Sequence, residues 1–287
     1  MATPAWLWPA VAAVFGALWG SFLNVVIVRV PRDESIVRPA SHCVACGAKI
    51  RPWDNIPIVS FLLLRGRCRA CGARFSIRYP IVEALGAIAG WGCVTLFGPG
   101  LAAAGFFVFC LLLVAIAFID AENWIIPHEL SWPGIAAGLA FSFANPRARP
   151  VDAALGAALA WAGFTLMSWF GEKIFKKEAL GLGDRWLLAV VGAFLGYGAL
   201  LPVVFLSSFQ GAIVGLVLIA LGKGQTGERP DVESATGEEG ADPDDWIPPK
   251  HALPFGPFLS LAGIEWLFFG PSLAQGYARI VARMVAR

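Results

Sequence analysis

Six side chains in this sequence have the types and spacing to do chemistry: two carboxylates and four thiols. Asp120 and Asp184 each stand at the edge of a long uncharged tract, the second inside Gly181-Leu182-Gly183-Asp184. A carboxylate at the border of a hydrocarbon-spanning helix is costly to keep, so its default reading is functional, and two of them suggest a shared proton. If they approach closely in a poorly solvated place, two negative charges cannot both persist and one carboxyl holds a proton near neutral pH. The ionised member then takes a proton from a water while the protonated member donates to a peptide amide, which is the arrangement of an aspartic protease. Glycines at 181 and 183, lacking a Cβ, would let a substrate backbone come close to the helix carrying Asp184. The bland alternative is two unrelated helix-end caps in water.

The thiols form a second constellation. Cys43-Val44-Ala45-Cys46-Gly47 and Cys68-Arg69-Ala70-Cys71-Gly72 are two copies of one short knuckle, with 21 residues between Cys46 and Cys68. Each Cys-x-x-Cys turn presents two thiolates to one tetrahedral ion, and the following glycine relieves the backbone bend. Cys43, Cys46, Cys68 and Cys71 are therefore read as a structural Zn2+ site, with disulfides as the alternative. A loop assigned to the reducing cytoplasm argues against disulfides. A fragment of this size has too little core to fold alone, so the metal would supply much of its stability. Cys93 and Cys110 fall within expected spans and are read as packing residues. His42, His128 and His251 have no spacing that improves on four thiolates; His42, next to Cys43, is read as a surface residue, with a reserve ligand as the weaker alternative.

The elements that must position these groups are membrane helices. The chain has 287 residues, of which 57% are hydrophobic and 15% charged, with a mean hydropathy of +0.68, outside the range of a soluble domain. Residues 1–28 carry no charge; 84–119 carry none in 36 residues and 186–222 none in 37. About 20 apolar residues cross the hydrocarbon core. The two longest tracts must each hold two spans, broken at Gly98-Pro99-Gly100 and between Tyr197-Gly198 and Pro202. With 130–144, 153–170 and 253–270, the last interrupted by Glu265, the expected fold is an all-α polytopic membrane protein of about eight transmembrane helices. The N-terminus lacks a basic segment ahead of its apolar run, so it reads as a retained first helix.

Basic residues orient the chain. Ten of the 22 Lys and Arg lie in 29–78, four in 173–185 and three around Arg229, so alternate loops would put 17 on one face and five on the other. By the positive-inside rule the richer face is cytoplasmic and the N-terminus lies outside. Arg147 with Arg149, and Arg279, Arg283 and Arg287 of the tail, fall on the wrong side; the tail's spacing of four suggests a basic helix lying on a membrane surface. This topology brings Asp120, ending the third span, and Asp184, opening the sixth, to similar depth near the inner interface. The expected organisation is a first transmembrane helix at 1–28, a small cytoplasmic zinc-binding domain at 29–78, a membrane core at 79–222, an acidic flexible loop at 223–250, and a last helix with its basic tail at 251–287.

At this point the chain resembles the type IV prepilin leader peptidases of bacteria. The likeness rests on Gly20-Ser21-Phe22-Leu23-Asn24-Val25-Val26-Ile27 with Arg29-Val30-Pro31, the paired Cys-x-x-Cys, and Arg78-Tyr79-Pro80-Ile81-Val82-Glu83. It continues through Phe118-Ile119-Asp120 with Ile126-Pro127-His128-Glu129-Leu130-Ser131, then Gly181-Leu182-Gly183-Asp184 and Leu253-Pro254-Phe255-Gly256-Pro257-Phe258-Leu259. The resemblance implies an aspartic endopeptidase that removes the basic leader of type IV prepilins and type II secretion pseudopilins after a glycine on the cytoplasmic face. It also implies N-methylation of the new amine by S-adenosyl-L-methionine. Asp120 and Asp184 would be the catalytic pair, and the four knuckle cysteines the metal ligands. The place would be the bacterial inner membrane, with prepilin, pseudopilin and membrane lipid as partners and no nucleic acid.

Two features depart from the pattern. Trp186 stands where the family usually shows lysine, with Arg185 beside it to supply the charge, and 223–250 is longer and more acidic, of a composition that predicts disorder. Glu122 and Glu129 could attract a basic leader or be solvated loop carboxylates, and Glu83 could orient substrate or a catalytic partner. No glycine-rich loop after a strand marks a cofactor site. A peptidase without methyl transfer, a proton or ion transporter using the Asp pair as a relay, and a zinc-dependent scaffold stay open.

Overall fold

The computed structural model describes residues 4–175, 181, 183–221 and 253–285. The acidic loop at 223–250 and His251 lie outside the described residues. Helices account for the regular structure: α1 (Leu7–Arg29), α2 (Val59–Leu63), α3 (Arg78–Phe97), α4 (Leu101–Asn123), α5 (His128–Phe141), α6 (Pro150–Phe175), α7 (Asp184–Leu195), α8 (Leu200–Ala220) and α9 (Gly256–Val285). Among the described residues there is no β-strand, only two isolated bridges, His42 with Lys49 and Arg67 with Arg74. In lipid every backbone N–H and C=O must be satisfied internally, which turns long apolar tracts into helices. The breaks fall at Gly98 (φ 73°) and Gly196 (φ 77°), left-handed positions where glycine carries no Cβ penalty.

Apart from α2, the helices stand at the eight expected places, but among the described residues six are long and apolar enough to cross a membrane: α1 with the turn after it, α3, α4, most of α6, α8 with the turn before it, and the first part of α9. The chain is thus a multi-pass membrane protein. Helices α5 and α7, of 14 and 12 residues, extend about 21 and 18 Å at about 1.5 Å per residue, short of the roughly 30 Å hydrocarbon core. The uncharged tract at 186–222 suggested two full spans, yet Gly196 ends α7 after three turns. Every residue from Leu187 to Phe194 is buried, so the apolarity of α7 serves the protein core instead of lipid.

That core is built on α4, whose Phe106, Phe109, Leu113, Ile116 and Ile119 are fully buried with Leu187, Val190 and Phe194 of α7 and Leu259 and Leu267 of α9. The Phe109 and Phe194 rings lie 4.9 Å apart. Glycines let α1 and α3 meet backbone to backbone: Gly16 and Gly20 face Gly86 and the 82–83 turn, and a Cβ on Gly20 would lie 2.7 Å from the Cα of Glu83. Gly156 and Gly192 do the same between α6 and α7.

Two ends of the bundle can be followed through their contacts. At one end Asn145 Nδ2 donates to the Phe194 carbonyl at 2.6 Å, and Gly196 sits beside Ala148 and Asp152. Arg147 donates to the Leu267 carbonyl there and lies over the Phe97 ring, while Arg149 pairs with Asp152 at 3.0 Å. The two arginines that strained the charge rule are therefore held by protein partners. At the other end lie Arg78 bonded to Glu122, Gly256 bonded to Asp120, and Gly183 against Ile126. The tail backbone through Arg279 simply continues α9.

Candidate active site and metal centre

Asp120 lies in the last turn of α4, and that helix closes where Trp124 turns left-handed (φ 58°) and its N–H bonds the Asp120 carbonyl at 2.9 Å. Asp184 is the first residue of α7. They are 6% and 7% exposed, which for carboxylates is nearly complete burial. Ile126, six residues beyond Asp120, packs against Gly183, the residue before Asp184, so the two carboxylates lie at the same end of the bundle. A third element completes the arrangement. The backbone N–H of Gly256, at the start of α9, donates to Asp120 Oδ2 at 3.0 Å, and a Cβ there would lie 2.5 Å from the same oxygen. One oxygen of Asp120 is thereby fixed, and the glycine is required by the close approach.

The two glycines before Asp184 divide their labour. A Cβ on Gly181 would lie 3.1 Å from Asp184 Oδ2, so that position leaves the carboxylate uncovered. At Gly183 the missing side chain is taken up by Ile126, whose Cβ would be 2.9 Å away; the glycine serves the packing of α7 against the segment after α4 and is not open to a substrate. Trp186 packs among His128, Trp132 and Trp161, and the Arg185 guanidinium lies over Trp161 and Trp186 at 5.9 and 5.7 Å. The charge beside Asp184 is thus set into an aromatic wall.

Of the other acidic candidates, Glu122 and Glu83 have partners. Glu122 pairs with Arg78 at 2.5 Å, whereas Glu129 is exposed. Glu83, buried in the second turn of α3, accepts the backbone N–H of Ile58 at 2.6 Å. Ile58 is left-handed (φ 62°), so Glu83 holds a strained turn of the soluble segment onto α1 and α3. Asn24 Nδ2 reaches the Tyr79 carbonyl at 3.2 Å, and Arg29 grips the carbonyls of Ser35 and Pro39 at 2.8 and 2.7 Å. These residues of the N-terminal motifs anchor the soluble segment to the bundle.

Within that segment the two knuckles are built alike. The Cys43 and Cys68 N–H groups bond the carbonyls of Ala48 and Ala73, and the Gly47 and Gly72 N–H groups return to the carbonyls of Cys43 and Cys68. Both glycines are left-handed, at φ 70° and 74°, as the bend requires. The four sulfurs lie within 4.8 Å of one another and are unbridged, Cys43 and Cys71 being 3.8 Å apart. Four thiolates around one ion at about 2.3 Å are spaced at about 3.8 Å, so the set fits a tetrahedral metal. N–H groups of Cys71 and Ala70 bring Cys68 down to about 7. Cys71, although the Ala73 N–H favours its thiolate, is pushed up to about 12, mainly by the thiol of Cys46, with Cys68 and Cys43 adding to the effect. Cys93 and Cys110 are buried together in the core.

Comparison with known proteins agrees with this architecture. A profile described as "Bacterial Peptidase A24 N-terminal domain" matches residues 14–97, and one described as "Type IV leader peptidase family" matches residues 107–216. A prepilin leader peptidase/N-methyltransferase of Myxococcus xanthus is 37% identical over 95% of this chain and 93% of its own length. Proteins of the same name from Burkholderia pseudomallei and Xanthomonas campestris are 35% and 34% identical, over 94% and 93% of the chain and 88% and 93% of their own lengths. No solved structure matches.

Proposed function

Because the chain belongs to the type IV leader peptidase family, we propose that Asp120 and Asp184 are its catalytic pair and that it cuts the leader from prepilins and pseudopilins at the cytoplasmic face of the inner membrane. The observation that carries this reading is the burial of two carboxylates, from α4 and α7, at one end of the bundle, where Ile126 packs on Gly183. The ionised carboxyl takes a proton from a water placed between the pair, and the oxygen so activated adds to the scissile carbonyl. The protonated carboxyl donates to the carbonyl oxygen, and the hydrated intermediate collapses as the leaving nitrogen takes a proton. The Gly256 N–H holds one oxygen of Asp120, leaving the other to handle the water. A prepilin carries a basic leader followed by an apolar helix, so its scissile bond lies at the interface depth of these two residues.

The same chain then methylates the new N-terminal amine, as its relatives' names indicate for them. S-adenosylmethionine supplies the methyl group. Cys43, Cys46, Cys68 and Cys71 hold one zinc, which ties the two knuckles into a folded unit and takes no part in cleavage. The test is cleavage of a prepilin by detergent-solubilised enzyme, read as the shortened product. Asp120→Asn and Asp184→Asn are each expected to lower the rate at least about a hundredfold. Cleavage at the wild-type rate by either variant removes that residue from the mechanism.

A further inference from the structure

The soluble segment encloses a cavity of about 390 Å³ between the knuckles, α2 and the opening of α3. That volume suits a nucleoside-sized ligand. Phe61, Phe75 and Tyr79 give it aromatic walls, and Gly66, left-handed at φ 65°, admits the Phe61 ring where a Cβ would lie 2.8 Å from it. Two carboxylates border the cavity, and they differ in their partners. Asp54 is gripped by Arg69 through Nε at 3.0 and 3.1 Å and through a terminal nitrogen at 2.7 Å, so its charge is answered. Glu83 is 7% exposed and, among the described residues, no cation pairs with it. A buried carboxylate without a counter-charge beside an aromatic cavity points to a cationic ligand of modest size.

We propose that this cavity is the binding site for the methyl donor, with the aromatic side chains carrying the adenine and Glu83 supplying the counter-charge to the sulfonium. The proposal rests on the reading of the chain as an N-methyltransferase. A basic leader peptide is the poorer occupant, because residues 29–78 carry ten Lys and Arg against three Asp and Glu. The location also fits the reaction order. Tyr79 on the cavity wall follows Arg78, which is bonded to Glu122, two residues beyond Asp120. The cavity wall at Tyr79 thus adjoins the end of the bundle that carries the aspartates.

The sulfonium charge gives a test that a merely structural role does not mimic. Zinc-loaded full-length protein in detergent is titrated with S-adenosylmethionine and with its uncharged thioether product, S-adenosylhomocysteine. Glu83→Gln keeps an oxygen for the Ile58 N–H, and it is expected to weaken the sulfonium ligand about tenfold while leaving the thioether within about twofold. Tyr79→Ala is expected to weaken both about tenfold, through lost base stacking. If both variants bind both ligands as the wild type does, while the wild type methylates a mature pilin, the donor binds elsewhere and this proposal is overturned. If the wild type binds neither ligand and leaves no label on the pilin N-terminus, the methyltransferase reading itself has failed and the cavity proposal falls with it. Displacement of the donor by a basic leader peptide also overturns it, assigning the cavity to substrate.

Discussion

At the scale of single residues, the site is arranged by atoms that carry no side-chain chemistry. Asp120 and Asp184 were legible in the sequence because a carboxylate stands out against uncharged tracts, and burial of a charge needs a reason. The partner that fixes Asp120 was not, since it is the main-chain N–H of Gly256, and a backbone donor has no signature beyond the motif opening α9. Sequence spacing likewise could not tell that the two glycines before Asp184 differ, one beside the carboxylate and one under Ile126. Gly256→Ala follows as a residue-scale prediction. Its new methyl would lie 2.5 Å from Oδ2 and 3.0 Å from Cγ of Asp120. The carboxyl must shift by several tenths of an ångström or more, and displacements of about 1 Å can cost about a hundredfold. Prepilin cleavage should fall at least about tenfold with zinc content unchanged; a wild-type turnover number would show that this contact does not set the position of Asp120.

At the scale of elements, glycine stripes and the knuckles decide how parts are held. Hydropathy located the helices but not their lengths: α5 and α7 link the two ends of the bundle yet are too short to span the hydrocarbon core, because a helix buried by protein and one facing lipid are equally apolar, and only the stop at Gly196 and the burial of α7 separate them. Glu83 was legible as a buried acid, yet its bond to Ile58 joins segments 25 residues apart and leaves no periodic trace. Gly20→Val should drive α1 from α3, since even a Cβ would sit 2.7 Å from the main chain of α3. Overpacking of this kind costs about 1–3 kcal/mol and should appear as a lower unfolding temperature in detergent. An unchanged melting curve would mean that α1 and α3 separate freely.

The metal belongs to the same scale. About one zinc per chain is expected, lost with the fold of the soluble segment in Cys46→Ser and in Cys71→Ser, as read by metal analysis and protease sensitivity. Because a Cys71 thiol pushed up to about 12 must give up its proton to bind metal, the apparent zinc affinity should rise with pH. Full zinc occupancy in both serine variants, or an affinity independent of pH, would contradict a four-thiolate site.

At the scale of the whole molecule, orientation makes the chemistry useful, for the carboxylates meet their substrate only if their end of the bundle faces the side where leaders are made. Contacts sort the connections into two ends: the 98–100 turn, 142–149 and 196–199 at one, and the soluble segment, the aspartates and the start of α9 at the other. By the positive-inside expectation the second end would be the cytoplasmic one, as proposed above. The arginines that seemed to break the rule at the first end are engaged by Leu267, Phe97 and Asp152, so they need not be solvated as free positive charges. Single cysteines can read this assignment directly. Gly100→Cys and Gly198→Cys add side chains where nothing lies within 4 Å, and Glu34→Cys replaces an exposed residue of the soluble segment. A membrane-impermeant maleimide applied to intact spheroplasts should label the first two above the wild-type background and leave the third unlabelled until the membrane is opened. The reverse pattern would place both aspartates on the outer surface, away from any leader still in the cytoplasm, and the peptidase would have no substrate to reach.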